Sequence, residues 1–202
     1  MKPKQDPPAA DTAEQNAIVE PAAVAEPAPH ETITLDHPFT TAGGRAIASL
    51  AMRRWTLRDY VAMGLAGDAA EDQELALFAM LVGLAPGDLD ELDGADYAKL
   101  QALYQAREPG ADALAAAETA DAITLKYPIT TPAGQQVTQI TLRRAKVRDL
   151  RQSGRHGTTP RAREAALMAV LAGFVPEDLD ALDGYDYRCM EARFRGFFRA
   201  VG

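Results

Sequence analysis

The stretch Leu92-Asp93-Gly94-Ala95-Asp96-Tyr97 returns ninety positions later as Leu182-Asp183-Gly184-Tyr185-Asp186-Tyr187. Outward from it, the same offset holds without a gap. Residues 33–97 fall on 123–187, with 28 of 65 positions identical. Pro86-Gly87-Asp88-Leu89-Asp90 meets Pro176-Glu177-Asp178-Leu179-Asp180, and Arg53-Arg54 meets Arg143-Arg144. Arg58-Asp59 meets Arg148-Asp149, and Ile33-Thr34-Leu35 meets Ile123-Thr124-Leu125. Agreement of that density across a whole unit means one small fold, duplicated and fused. The copies also give an internal comparison: what both keep is what the fold or its partner needs.

Each copy opens as a strand pair. Ile33 and Leu35, then Ile47, Leu50 and Met52, flank a turn at Gly43-Gly44; Ile123 and Leu125, then Val137, Ile140 and Leu142, flank Ala133-Gly134. Gly44 and Gly134 are shared, as a hairpin turn with positive φ demands. Pro38 and Pro128 remove a ladder donor, which predicts an edge strand or a strand end. A helix follows from Thr56-x-x-Asp59, with Leu57, Tyr60, Val61 and Leu65 at helical spacing. Lys146 replaces the Thr cap in the second copy, which predicts a weaker helix start there.

The next helix starts near residues 68–71 in the first copy and after Thr159-Pro160 in the second, a cap followed by Pro at the first helical position. Its apolar residues are Leu75, Leu77, Phe78, Leu81 and Val82, with Leu84 beside them, and in the second copy Leu167, Met168, Leu171 and Phe174. Gly83 and Gly173 stop it, with Pro86 and Pro176 beyond. A short Asp-Leu-Asp turn leads to a last helix opened by Asp93 or Asp183. Asp96 or Asp186 follows three residues on, suited to the positive end of the helix dipole. The fold class is α+β: two tandem copies of a small domain, each a β-hairpin followed by three or four short α-helices.

Residues 1–30 are rich in Pro and Ala, hold almost no large apolar groups, and read as a disordered tail. The first unit then covers 31–107, a linker with an Ala run of helical tendency covers 108–120, and the second unit covers 121–202. Units of roughly 75–80 residues sit near the lower limit for a self-sufficient core, so each is expected to lean on its sister or on a partner. The net charge of −8 divides into −3 for 1–30, −6 for 31–107, −3 for 108–120 and +4 for 121–202. Either the copies attract each other, or they have specialised for different partners. No apolar run approaches the roughly 18 residues of a membrane span, and the N-terminus lacks the apolar core of a secretion signal. A lone Cys189 leaves no intrachain disulfide and no Cys-based zinc site. These features fit the cytoplasm.

No catalytic constellation stands out. His30, His37 and His156 are scattered, and neither His37 nor His156 is matched by a His in the other copy. Phosphate-loop and dinucleotide motifs are missing, so the chain reads as non-enzymatic, with no cofactor and no metal. Asp88, Asp90, Asp93 and Asp96, with Asp178, Asp180, Asp183 and Asp186, lack the Gly and Glu of a calcium loop; helix capping accounts for them.

The shared polar set is Arg53, Arg54, Arg58 and Asp59, repeated as Arg143, Arg144, Arg148 and Asp149. It reads in two ways: arginines at a strand end followed by a solvated first turn, or an anchor for an acidic or helical partner. As candidate partner-binding residues these eight carry the second reading. Arg151, Arg155, Arg161 and Arg163 make the second copy basic, yet no aromatic platform or helix-turn-helix signature accompanies them. The acidic first copy also opposes a repeated nucleic-acid module, so nucleic acid is not expected as a partner.

One ordered pattern runs through each copy. In the second it is Ile123-Thr124-Leu125…Pro128, Gly134, then Thr141-Leu142-Arg143-Arg144…Val147-Arg148-Asp149-Leu150. An apolar helix containing Glu164 follows, then Leu171-x-Gly173-x-x-Pro176-x-Asp178-Leu179 and Leu182-Asp183-x-x-Asp186-Tyr187. This resembles the small tail assembly chaperones of Mu-like and related contractile-tailed phages. The resemblance implies a non-enzymatic protein made before the tail is built and absent from the finished virion. It implies that the chain coats the long, aggregation-prone tape-measure protein and helps recruit tail-tube subunits. Self-association stands beside these as a candidate contact of the chain itself, not as part of the resemblance. The implied location is the bacterial host cytoplasm during assembly, whether the genome is a free phage or a prophage.

Grooves on small domains suit amphipathic helices of such a client. The Leu77, Met80, Leu81 and Leu167, Met168, Leu171 surfaces are either such a groove or each unit's own core. Members of the family usually carry one unit; fusing two raises the effective concentration of the second site. A structural part of a tail or contractile injection machine is the alternative reading, and a nucleic-acid-associated regulator a third.

Overall fold

The computed structural model describes residues 30–64, 69–155 and 158–199. Of the tail expected over residues 1–30, all but His30 lies outside the described residues, as do Leu65, Asp68 and His156.

Each unit begins with an antiparallel hairpin forming its own two-stranded sheet. Strands β1 (Glu31–Thr40) and β2 (Ala46–Met52) pair in the first unit, and β3 (Ile123–Thr130) and β4 (Gln136–Ile140) in the second. The turn glycines have left-handed φ, 79° at Gly44 and 83° at Gly134, and Gly44 and Gly134 donate to the Thr41 and Thr131 carbonyls at 2.8 Å each. The ladder breaks register between Thr34 and Phe39, and again between Thr124 and Ile129. Pro38 and Pro128 lie inside these bulges. The strands do not end at proline; they continue past it, because a bulge asks no ladder donor of that residue.

The bulge amides need acceptors, and the last helix of each unit supplies them. That helix is α4 (Gly94–Arg107) in the first unit and α8 (Gly184–Arg199) in the second. Asp96 accepts from the Asp36 and His37 amides at 3.0 and 2.9 Å, and Asp186 accepts from the Lys126 and Tyr127 amides at 2.8 and 3.0 Å. Capping therefore explains only part of the acidic cluster. Asp93 and Asp183 do cap, each accepting an amide two residues on at 2.8 Å. Asp96 and Asp186 clamp strand to helix.

Between hairpin and last helix lie α1 (Leu57–Met63), α2 (Ala70–Val82) and α3 (Pro86–Leu89). The second unit repeats them as α6 (Val147–Ser153), α7 (Pro160–Ala172) and a 3-10 turn over Pro176–Leu179. Thr159 caps α7 through the Ala162 amide at 3.1 Å. Gly83 and Gly173 close α2 and α7 in the left-handed region, at φ 69° and 81°. Lys146 does not shorten its helix: α1 and α6 are both seven residues long. The reason is that the Asp half of the cap survives, with the Lys146 amide 2.8 Å from Asp149 as the Thr56 amide is from Asp59.

Residues Ala111–Thr119 form a further helix, α5, laid along α8. Arg193 donates to the Glu118 carbonyl at 3.1 Å, and Arg199 pairs with the Glu118 carboxylate at 2.9 Å. The core runs through both units. Leu77 and Leu81 of α2, with Phe78, and Leu167, Met168 and Leu171 of α7 are buried in it, whereas Met80 is half-buried. The Met- and Leu-rich helix is thus core and not an open groove, since the hairpin and last helix cover its apolar side. Among the described residues no helix is long and apolar enough to cross a membrane.

Candidate functional site

Arg53 follows β2 directly, and its amide reaches the Leu81 carbonyl of α2 at 3.1 Å; Arg143 reaches Leu171 of α7 at the same distance. That bond aims the guanidinium at the first turn of the next helix. Arg53 grips Asp59 through two bonds of 2.6 and 2.8 Å, and Arg143 grips Asp149 at 2.6 and 3.0 Å. Both carboxylates are buried, so the solvated-turn reading fits Arg58 but not Asp59. Burial opposes charge on Asp59, yet the bonds from Arg53 and the Thr56 amide outweigh it and hold its pKa below the ordinary range. The Arg143 bond, ahead of burial, pulls Asp149 down to about 2. Such bidentate, charge-assisted pairs fix geometry as well as energy.

Arg54 and Arg58 reach out of their own unit. Arg54 binds Asp183 through Nε and Nη2 at 2.5 and 2.8 Å and lies over the Tyr127 ring, 4.1 Å from its centroid. Arg58 pairs with Asp180 at 2.9 Å. Backbone bonds join the same surfaces: Leu57 N to Leu182 O at 2.8 Å, Arg58 N to Asp180 O at 3.1 Å, Gly184 N to Trp55 O at 2.9 Å. The junction is completed by a cluster of Trp55, Tyr60 and Tyr187, with ring centroids 5.1 to 6.3 Å apart. Trp55 Nε1 donates to Glu108 at 2.9 Å, and the Tyr60 hydroxyl donates to Glu164 at 3.1 Å. Arg188 ties Glu108 and Glu191 together at 3.3 and 2.9 Å.

The first unit's α1 is therefore seated between α7 and the start of α8. Burial raises the Glu164 pKa, helped by the Glu191 charge, and lifts the Tyr60 hydroxyl to about 12. Across the junction the cations Arg54 and Arg58 come from the acidic unit and the carboxylates Asp180 and Asp183 from the basic one. Local complementarity, not net charge, makes these pairs.

In the second unit Arg144 donates to the Phe197 carbonyl, and Arg148 forms no salt bridge among the described residues. Of the eight sequence candidates, four pair within their units, two build the junction, and these last two stay at the surface. Trp55, Tyr60, Glu108 and Arg188 are not shared between the copies and so fall outside the sequence candidates. The signal for the first two was a difference: Ala145 and Leu150 occupy the matching positions in the second copy.

A family model for phage tail assembly chaperone proteins, E, or 41 or 14, matches the chain twice, over residues 32–117 and 122–199. The chain belongs to this family. Its role lies in phage tail assembly, and its two matches fall on the two hairpin-and-helix units. No curated protein and no solved structure matched it significantly.

Within this chaperone-family chain, one further group could be taken for a metal site. His37 Nδ1 lies 3.7 Å from Asp93 and 3.9 Å from Asp96. The Asp96 oxygens already accept from two bulge amides and from Lys99 Nζ at 2.6 Å. That carboxylate is a clamp with an ammonium on it, a poor ligand for a second cation. Lys99 corresponds to Cys189, and among the described residues no ammonium is hydrogen-bonded to Asp186 as Lys99 is to Asp96; Lys126 Nζ lies over the Tyr185 ring instead, 4.4 Å from its centroid. The Lys99 bond draws Asp96 down to about 2, whereas burial, with Asp183 nearby, pushes Asp186 up to about 6 against its two amide donors.

Proposed function

We propose that the chain is a non-enzymatic chaperone that binds the tape-measure protein during tail construction, with tail-tube subunits as a second client. The support is the family match across both units, set on a chain whose units are joined through one directional, well-packed junction. Two copies of one unit on a single chain raise the effective concentration of a second binding site, which suits a long, repetitive partner. Six of the eight shared charged residues are used in folding and docking, Arg53 with Asp59 and Arg143 with Asp149 within units and Arg54 and Arg58 across the junction, which leaves Arg144 and Arg148 at the surface.

Co-expression with the tape-measure protein of the same phage tests this reading through pull-down and client solubility. Co-purification with a soluble tape measure supports it. A tape measure that aggregates unbound in the chain's presence overturns it, and stoichiometric recovery of the chain from finished particles would favour a structural role instead.

A further inference from the structure

The junction between the units is directional: one face is α1 of the first unit, the other is the 180–184 segment of the second. A heterologous contact of this kind leaves half of itself unused at each end of the chain. The ninety-residue offset identifies the unused halves. Arg144, Val147, Arg148 and Leu150 occupy the positions of Arg54, Leu57, Arg58 and Tyr60. Leu57 and Tyr60 are 2% and 9% exposed. Val147 and Leu150 are 67% and 48% exposed. At the other end, Asp90, Leu92, Asp93 and Gly94 occupy the positions of Asp180, Leu182, Asp183 and Gly184. Leu182, Asp183 and Gly184 are buried beneath the first unit, whereas Asp90, Asp93 and Gly94 are exposed and Leu92 is half-buried.

We infer that copies of this chain associate head to tail, the α6 face of one seating on the Asp90–Gly94 face of the next as α1 seats on Asp180–Gly184 within the chain. The occupant is a second copy because the chain already shows the contact once and carries both complementary ends. Charge agrees twice over. Arg144 and Arg148 would meet Asp93 and Asp90 as Arg54 and Arg58 meet Asp183 and Asp180. The intermolecular contact also sets a unit of net charge +4 against one of −6. Arg144 is already placed for this pairing. Arg54 touches the Arg107 carbonyl at 3.4 Å while holding Asp183, and Arg144 makes the matching contact to Phe197. The Val147 and Arg148 amides, equivalents of the two that bond across the junction, have no acceptor among the described residues.

The substitutions fit as well. Tyr60 needs Glu164 as an acceptor, and Leu150 in its place needs none. Glu74, the match of Glu164, is already taken by the Tyr97 hydroxyl at 2.8 Å and Gln101 at 2.7 Å. Ala145 replaces Trp55, so the space over Gly94 stays unfilled and the contact is looser than the internal one. Association is therefore concentration-dependent, giving open arrays or a closed ring. It does not depend on which client is bound.

Sedimentation velocity on the full chain over a concentration series tests this, with Arg148→Asp and Asp90→Arg as variants. Both residues are exposed, and unchanged thermal melting confirms that the variants fold. Wild-type mass is expected to rise with concentration. Each variant alone should require about tenfold more protein to associate, since like charges then face each other. An equimolar mixture should recover wild-type behaviour, because each altered end finds its complement on the other variant. A wild-type chain that stays monomeric throughout, variants that associate like wild type, or a mixture that fails to recover would each overturn the inference. A monomer that still solubilises the tape measure would sink this inference alone and leave the chaperone reading intact.

Discussion

Trp55 lies against Gly184 so closely that a Cβ on the glycine would sit 1.9 Å from the indole. The matching glycine of the first unit, Gly94, has nothing within 4 Å of the same point. Gly184→Ala should therefore push the indole out and destabilise the chain by about 1–3 kcal/mol, the usual range for overpacking. Gly94→Ala, at the equivalent first turn of α4, should be neutral or slightly stabilising. Trp55 is the sole tryptophan, so its emission during denaturant unfolding reads the junction directly.

The two cross-unit arginines should differ sharply in worth. Arg54 and Asp183 are largely buried and doubly bonded, and removing either leaves a charge without its partner. Arg54→Ala is expected to cost about 3–5 kcal/mol. Arg58 is 75% exposed, and Arg58→Ala should cost under about 1 kcal/mol. Urea titrations of the two variants check the ordering; equal losses would mean that the junction is not organised around Arg54.

The two bulge clamps should respond oppositely to pH. Asp186 has its folded pKa raised to about 6 from an ordinary 3.8, so its contribution is greatest in acid and is lost as pH rises from about 4 through 6. That loss is on the order of 3 kcal/mol, since each tenfold change in proton affinity is worth about 1.4 kcal/mol. Asp96 and Asp149 are depressed to about 2, so their contributions stand above pH 4 and vanish as pH falls through 2. Cys189→Lys supplies the ammonium that Lys99 gives Asp96. It should lower the Asp186 pKa in a carboxylate NMR titration, with less gain in stability than Asp96 draws from Lys99, because position 189 is buried and Lys126 stands where Asp36 helps to hold Lys99. An Asp186 resonance that titrates near 4 in the wild type would refute the asymmetry.

Features set by neighbours in sequence were legible from residues alone. The turn at Gly44, the cap at Thr159 and the stops at Gly83 and Gly173 all need only a few adjacent positions. The clamp role of Asp96 was not, because its amide donors lie sixty residues upstream and its local setting mimics a helix cap. Pro38 was legible in part: β1 is an edge strand, as a proline in a ladder implies, but it does not end there, because a bulge held open by that distant carboxylate absorbs the proline. Of the shared arginines, the Arg53–Asp59 pair is six residues apart and belongs to one unit, whereas Arg54 finds Asp183 only once two units pack. What the copies share does not by itself mark the junction. Its aromatic centre is written in what they do not share, Trp55 against Ala145 and Tyr60 against Leu150.

That contrast makes one substitution informative at two places. Leu57 and Val147 are equivalent, but Leu57 is sealed beneath Leu182 and Val147 faces solvent. Leu57→Asp buries an unpaired carboxylate and should destabilise the chain by more than about 3 kcal/mol. Val147→Asp should change stability by less than about 0.5 kcal/mol, while its charge opposes the acidic Asp90–Asp93 face and suppresses self-association. Melting curves and sedimentation on the two variants measure both effects. Because the Val147→Asp chain is folded and monomeric on this expectation, its pull-down of the tape-measure protein separates client binding from chain-to-chain contact. Retained binding would place the client on another surface, and lost binding would mean that client and sister chain compete for α6.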